Sequence, residues 1–301
     1  MALPASTAHT DAAVHLAEWI AGHPRVFVLT GAGCSTGSGI PDYRDEDGAW
    51  KRKPPVTYQA FVEDAFTRAR YWARSFIGWP TIASARPNGT HDALAHWEAT
   101  GGVSALVTQN VDGLHQRAGS RAVIDLHGRL DQVVCLGCRQ RTPRSALQLR
   151  LAERNTDWQG LTAGAAPDGD ADLEHADFNG FHVPDCEACG GLLKPDVVFY
   201  GENVPRERVA AAQQALANSN AMLVVGSSLM VYSGYRFARM ACEAGLPLAI
   251  LTRGVTRADD LATLKLPADC ADTLARALQA RSEMAGGTPQ HRRPASPTTT
   301  L

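Results

Sequence analysis

Four cysteines stand in two C-x-x-C pairs, Cys135/Cys138 and Cys186/Cys189. They carry the most specific chemistry the chain offers. Thiolates at that spacing suit one tetrahedral zinc ion, at about 2.3 Å per sulfur. The pairs leave no obvious open coordination position, so the ion is expected to be structural. A redox dithiol and a chance pairing are the alternatives. The stretch between the pairs is longer than a compact zinc ribbon, so the module must carry an insertion. A second set lies in VFVLTGAGCSTGSGIPDYR, residues 26–44. An apolar run stops at Thr30 and meets Gly31, Gly33, Gly37 and Gly39. Backbone N–H groups in such a turn approach a phosphate without Cβ clashes. The spacing departs from G-x-G-x-x-G, so chain reversal alone is the competing account. His127 follows a short apolar run and precedes a glycine. A histidine there can serve as a general base near neutral pH. His15, His96 and His182 have no such context. Gln109, Asn110 and Asp112 share one loop and offer amides and a carboxylate to a carboxamide, a ribose or a water. Asx-turn chemistry is their alternative. Ser227 and Ser228 suit phosphate or ribose contacts, or the cap of the next helix. Cys34 and Cys242 have no histidine or carboxylate beside them and read as packing residues.

These groups need elements to hold them. Apolar runs predict strands at 26–29, 103–108, 123–126, 221–225 and 247–251. Helices are expected from a Thr10 cap to Gly22, with Ala13, Leu16 and Ile20 on one face. Further helices are expected over 57–76, from a Thr90 cap through Trp97, and over 205–218, 234–243 and 269–281. Alternation of this kind predicts an α/β fold, a parallel sheet with helices on both faces. Five strand ends, at Gly31, Gln109, His127, Gly226 and Thr252, open into polar loops. In open α/β sheets ligands sit at such ends, so the loops should share one site. The expected domains are a main body over 10–50, 90–130 and 194–282, an aromatic helical insert over 51–89, and a zinc-binding module over 131–193. The module carries a long polar loop, about 155–182, that includes APDGD. Residues 1–9 are expected to be loose and the Pro/Thr-rich tail, 283–301, disordered.

The totals narrow the class. The chain has 301 residues, 45% hydrophobic and 20% charged, which supplies a sizeable core. Net charge is −2, with an isoelectric point near 6.5, which gives no argument for electrostatic binding of nucleic acid. No apolar run approaches the roughly 20 residues of a membrane span. The N-terminal segment lacks the marks of a secretory or transit peptide, so a cytoplasmic protein is expected. Seven cysteines, an odd number, point there to metal rather than disulfides.

In order along the chain, GAGCSTGSGIPDYR, TQNVDGLHQRAG, LHG, the two C-x-x-C pairs, LKPDVVFYGE and GSSLMVYSG resemble a sirtuin. The likeness covers about 26–275. Finer features, YWARSFIGWP, AGSRAVIDLHG, APDGD, VVGSSLMVYSGYRF and GVTRADDLATLKL, resemble the class II mitochondrial branch, the lipoamidase / ADP-ribosyltransferase type. The resemblance implies a Rossmann-type NAD domain, a smaller zinc and helical module, and an acyl-lysine substrate threaded between them. It implies a cofactor loop over 31–51, with Gly31, Ala32, Gly33, Ser35, Ile40, Pro41, Asp42 and Arg44 at the cofactor. Gln109, Asn110, Val111 and Asp112 would hold nicotinamide and its ribose, and Asn110 and Asp112 would join His127 in catalysis. Gly226, Ser227 and Ser228 would meet phosphates and the adenosine ribose. Thr252, Arg253, Gly254 and Cys270 would line the adenosine end. Val198, Phe199, Tyr200 and Val231 would pair with substrate backbone as added strands.

The implied reaction removes an acyl group from lysine. Nicotinamide leaves, the acyl-amide oxygen captures the ribose, His127 takes a ribose hydroxyl proton, and water completes release of O-acyl-ADP-ribose. Thr252 departs from the asparagine of many relatives, which loses an amide donor to the adenosine ribose. Tyr71 and Arg74 form a Y-x-x-R pair on one helical face, which suggests a carboxylate-ended acyl group of the glutaryl type. Packing against the aromatic wall is the alternative for Arg74. Longer chains such as lipoyl are the other expected preference. A monomer acting on acylated proteins is expected, without nucleic acid or membrane. A mono-ADP-ribosyltransferase using the same NAD site and an inactive NAD-responsive binding module are the competing functions.

Overall fold

The computed structural model describes residues 5–51, 55–161 and 177–286. In chain order they form α1 (Ala5–Ala21), β1 (Val26–Thr30), α2 (Tyr58–Glu63), α3 (Ala65–Ser84), α4 (Gly89–Ala99), β2 (Val103–Thr108), α5 (Leu114–Arg117), β3 (Val123–Asp125) and β4 (Gly128–Cys135). Then come β5 (Arg141–Pro143), α6 (Arg144–Arg154), β6 (Leu193–Val197), α7 (Arg206–Ala217), β7 (Ala221–Val225), α8 (Tyr232–Glu243), β8 (Leu248–Leu251), β9 (Leu264–Leu266) and α9 (Cys270–Gly286).

Six strands make a parallel sheet in the order β3-β2-β1-β7-β8-β9. The chain starts at the middle, works outward through β2 and β3, then returns to lay β7 on the other side of β1. The order therefore reverses between β1 and β7, and a crevice opens beyond their carboxyl ends. Val, Leu and Ile fill these strands because both faces are covered. Every residue of β1 is buried. Val26 and Val28 pack with Leu16, Ile20, Trp97 and Leu274 on one face. Phe27 and Leu29 pack with Phe237 and Leu216 on the other. Each such side chain contributes about 1.5–3 kcal/mol.

A second, antiparallel sheet runs β5-β4-β6. With α2, α3 and α6 it encloses its own core of Phe61, Tyr71, Trp72, Phe76, Leu147 and Leu151. Arg144 is buried there, its guanidinium 5.4 Å from the Trp72 ring and 5.1 Å from that of Trp79. No helix among the described residues is long and apolar enough to cross a membrane.

Several elements differ from expectation. α1 begins at Ala5 rather than at a Thr10 cap, because Ala and other helix-tolerant residues continue upstream of Thr10. Residues 5–9, expected to be loose, are helical. The helix expected over 57–76 breaks at Asp64, whose carboxylate caps α3 through the amides of Phe66 and Thr67. Asn88 rather than Thr90 caps α4, and His91 closes a capping box from inside the helix. α9 continues through 283–286, where a disordered tail was expected. β4, β5, β6, β9 and α6 were not anticipated, being short or lacking strong alternation. Residues 1–4, 52–54, 162–176 (with APDGD) and 287–301 lie outside the described residues.

Candidate active site

The loops after β1, β2, β3, β7 and β8 border one cavity of about 660 Å³. Gly31, Ala32, Gly33, Asp42, Arg44, Gln109, Asn110, Val111, His127, Gly226, Ser227, Ser228, Thr252, Arg253, Gly254 and Cys270 all line it. So do Tyr71, Val198, Phe199, Tyr200 and Val231. Ser35, Ile40, Pro41 and Asp112 stand behind the lining, and Arg74 does not reach it. Ser35 and Ile40 are turned into the protein, where Ser35 is only 1% exposed. Tyr71 and Arg74 are on one helix, but only Tyr71 faces the cavity.

The two glycine-bearing turns at the switch point interlock. The Gly33 amide donates to Gly226 O at 2.8 Å, and Cys34 Sγ donates to Val225 O at 3.1 Å. A Cβ on Gly33 would stand 2.8 Å from Gly226 O, and one on Gly226 would stand 2.5 Å from the Cys34 amide nitrogen. Glycine is required here by main chain meeting main chain. Such a bare, concave backbone suits a pyrophosphate. Arg44 lies 4.0 Å from the Trp50 ring and donates to Gly48 O, which folds the segment after the glycines back on itself. Its tip rests on the loop after β8, with the Val255 amide donating to Glu46 O at 2.8 Å.

Asn110 Nδ2 donates to Gly31 O and to Ser35 Oγ, each at 3.0 Å. Ser35 Oγ in turn donates to Asp112 Oδ2 at 2.7 Å, while Asp112 Oδ1 accepts from the Leu114 amide. Asp112 thus makes the Asx turn and also ties its loop to the glycine loop. Gln109 Nε2 donates to Ser227 Oγ at 2.6 Å. Ser227 and Ser228 do not cap α8; Val231 stands at that position.

His127 sits between β3 and β4, half-buried. Its carbonyl accepts from the Val198 amide at 2.8 Å, its Nδ1 lies 3.0 Å from Gln109 O, and its Nε2 lies 2.7 Å from Ser233 Oγ. Burial lowers its pKa to about 4; the Gln109 carbonyl opposes this, and Arg208 and Arg236 push it further down. The ring is therefore neutral near pH 7, with a lone pair available as a base. Lys194, 3% exposed, holds the cavity wall at 197–199. Its ammonium donates to Val197 O and pairs with Glu202 at 3.0 Å, and Glu202 also accepts from the Phe199 amide. Burial lowers the Lys194 pKa and Glu202 opposes it.

Sequence reasoning missed Ser233, Lys194 and the buried pair His91 and His115. The two imidazoles lie 4.8 Å apart behind the Asp112 loop, and His115 Nε2 bonds Thr30 Oγ1 at 2.9 Å. Burial lowers the His115 pKa to about 3, aided by His91. His115 lies inside TQNVDGLHQRAG, but its burial shows only in three dimensions. Cys34 and Cys270 are buried thiols whose pKa values burial raises, Cys270 to about 12, which suits packing and not nucleophilic attack. Cys242, expected to pack, is exposed on α8.

The sulfurs of Cys135, Cys138, Cys186 and Cys189 lie within 4.8 Å of one another. Cys135 and Cys189 are 3.5 Å apart, and Cys138 and Cys186 are 3.8 Å apart. A tetrahedral zinc thiolate site requires sulfurs about 3.8 Å apart. Two tight turns aim them, with the Arg139 amide donating to Cys135 O and the Gly190 amide to Cys186 O. A Cβ on Gly191 would lie 2.9 Å from Cys135 Sγ, so the glycine leaves the sulfurs room. The four residues fit a structural zinc ion.

A reversed parallel sheet with a glycine-walled crevice at its switch point and a four-cysteine module beside it defines a dinucleotide-binding α/β protein. Comparison with known proteins narrows this. A model described as the Sir2 family matches residues 31–233. The "NAD-dependent protein deacetylase 2" of Bradyrhizobium diazoefficiens is 61% identical over 260 residues, covering 86% of this chain and 95% of the relative. An "NAD-dependent protein deacetylase" of Xanthomonas campestris pv. campestris is 60% identical over 270 residues, covering 90% and 92%. A solved Sir2 complex with a p53 peptide and NAD+ superposes with a TM-score of 0.71 at 28% identity, covering 89% of this chain and 98% of that one. A Sir2 complex with deacetylated p53 peptide and 3'-O-acetyl ADP ribose does so at 0.71 and 30%, covering 88% and 97%. The chain belongs to the Sir2 family, the sirtuins, and NAD is its co-substrate.

Proposed function

We propose that the chain is an NAD-dependent protein-lysine deacetylase that releases nicotinamide and O-acetyl-ADP-ribose. The observation that carries this is His127, a neutral imidazole on the wall of the cavity shared by the strand-end loops. The names of the bacterial relatives and the peptide complexes of the solved ones support the same reading.

The residues divide the work by chemistry. The interlocked turns at Gly31–Gly33 and Gly226–Ser228 bind the pyrophosphate, and Thr252, Arg253, Gly254 and Cys270 border the adenosine end. Asn110 and Gln109 face the nicotinamide ribose, with Asp112 and Ser35 fixing them from behind. The folded segment from Asp42 to Trp50 screens the reacting carbon from water. His127 Nε2 takes a ribose hydroxyl proton, a role typically worth about 100- to 10,000-fold in rate. The substrate main chain lies as an added strand between 198–200 and Val231, and its acyl-lysine enters toward Tyr71 and Phe199. The zinc ion holds the small module and takes no part in the chemistry.

Tyr71 and Phe199, with ring centroids 5.1 Å apart, make that wall aromatic. This supports a neutral acyl group such as acetyl, and nothing in the placement of Arg74 supports an acidic one. The lipoamidase-type branch suggested by YWARSFIGWP and VVGSSLMVYSGYRF would appear as preference for a longer neutral chain.

The test is nicotinamide release and product mass on a panel of acyl-lysine peptides, acetyl to lipoyl, neutral and acidic. O-acetyl-ADP-ribose is expected, and His127→Tyr abolishes turnover while NAD still binds by calorimetry. ADP-ribose attached to protein without deacetylated peptide would overturn the reading.

A further inference from the structure

The two nitrogens of His127 have different partners. Nδ1 lies 3.0 Å from the main-chain oxygen of Gln109, which can only accept. Nδ1 therefore carries the proton, and Nε2 of the neutral ring is a bare lone pair. Its partner is the Ser233 hydroxyl at 2.7 Å, which must donate. We propose that Ser233 is a positioning residue for His127: its hydroxyl fixes the basic nitrogen at the cavity wall and occupies its lone pair until a substrate hydroxyl displaces it.

The fold places Ser233 for this. It stands in the first turn of α8, just after Val231, is 9% exposed, and lines the cavity with His127. The next residue, Gly234, makes the approach possible. A Cβ there would collide with Gln109 Oε1 and stand 2.7 Å from Gln109 Cδ. The Gln109 side chain cannot readily retreat, because its Nε2 donates to Ser227 Oγ at 2.6 Å. The start of α8 therefore bears on the histidine twice. Ser233 meets Nε2 directly, and Gly234 packs on the residue whose carbonyl anchors Nδ1.

The hydroxyl suits both states of the base. It donates to the neutral nitrogen, and when Nε2 has taken a proton it can turn and accept from it. The charged groups bearing on the ring are Arg208 of α7 and Arg236 of α8. Arg208 is itself paired with Asp196 at 3.6 Å.

This rests on His127 acting as the base. The experiment compares wild type, Ser233→Ala and Ser233→Thr for nicotinamide release from NAD with an acetyl-lysine peptide at neutral pH. For Ser233→Ala we expect kcat to fall about tenfold, the loss of one hydrogen bond's worth of transition-state order. KM for NAD and peptide should stay within about threefold. Ser233→Thr, which keeps the hydroxyl, should restore the rate. Wild-type kcat in Ser233→Ala, or equal impairment of both variants, overturns the proposal. If wild type releases no nicotinamide, the functional reading has failed instead. Nitrogen NMR of His127 then decides: the Nε2 resonance should move in Ser233→Ala and return in Ser233→Thr, and an unchanged resonance sinks the idea.

Discussion

Replacing Gly226 with alanine tests the logic of the crevice at its narrowest point. Gly226 has a φ of +61, and a Cβ would lie 2.5 Å from the Cys34 nitrogen, 2.7 Å from the Gly33 carbonyl carbon and 3.1 Å from Cys34 Sγ. The left-handed backbone costs a residue with a Cβ about 1–2 kcal/mol. Forcing a methyl against main chain costs about 1–3 kcal/mol more. Parting the turns would break the bond from the Gly33 amide to Gly226 O, worth about 1 kcal/mol. The total is roughly 3–6 kcal/mol. It must appear either as lost stability or, if the turns separate, as weaker NAD binding, tenfold for every 1.4 kcal/mol or so. Urea unfolding and calorimetric NAD titration read the two parts. Gly39→Ala is the control, because Gly39 has a φ of +81 but nothing within 4 Å of the added carbon. It should lose only the backbone part, about 1–2 kcal/mol, with NAD affinity unchanged. A Gly226→Ala protein within about 1 kcal/mol of wild type and threefold in Kd would refute the interlocked cradle.

Two further outcomes follow from the other buried groups. Cys186→Ser should release the zinc and loosen the core around Trp72 and Trp158, read by metal content and tryptophan fluorescence; full metal retention would remove Cys186 from the ligand set. His115, 1% exposed, has a pKa held near 3 against 6.5 for the free residue. A lowered histidine pKa means the unfolded chain binds the proton first. Its contribution is thus complete above pH 6.5 or so and lost as pH falls toward 3, by up to about 1.4 kcal/mol per unit. His91 acts in the same direction, and His127 does so down to about pH 4. The urea midpoint should fall between pH 7 and 5, less steeply in His115→Asn; equal slopes in the two proteins would contradict this.

How much of this was readable in the sequence depends on the range of the interaction involved. The parallel strands were legible because burial on both faces demands unbroken apolar runs, as in Val26–Thr30 and Ala221–Val225. β4 and β6 were not. β4 alternates in burial only over its first four residues, GRLD, and β6 is LKPDV, with a charged residue near each end. Asp64 and Asn88 were passed over as caps because the helical patterns around them read equally well from a neighbouring residue. Loop residues that face the cavity were found through their chemical types. Types alone did not separate Tyr71, which faces the cavity, from Arg74, which does not, because i and i+3 share a face only approximately.

Lys194 shows why the remainder stayed hidden. In LKPDVVFYGE nothing sets it apart from any other lysine, yet it is buried and paired with Glu202. An isolated ammonium there would be expensive. It is retained where one charge meets a carboxylate and Val197 O while that carboxylate also accepts from the Phe199 amide. The pair fixes the main chain at 197–199, the wall beside Tyr71 and Phe199. Ser233 is the same kind of residue: small, polar, unremarked in its motif, and placed by a helix start that only Gly234 allows so close to Gln109. Groups that act directly on a ligand announce themselves by type and spacing. Groups that hold them act through a single contact between distant segments, and nothing local to either segment encodes that contact.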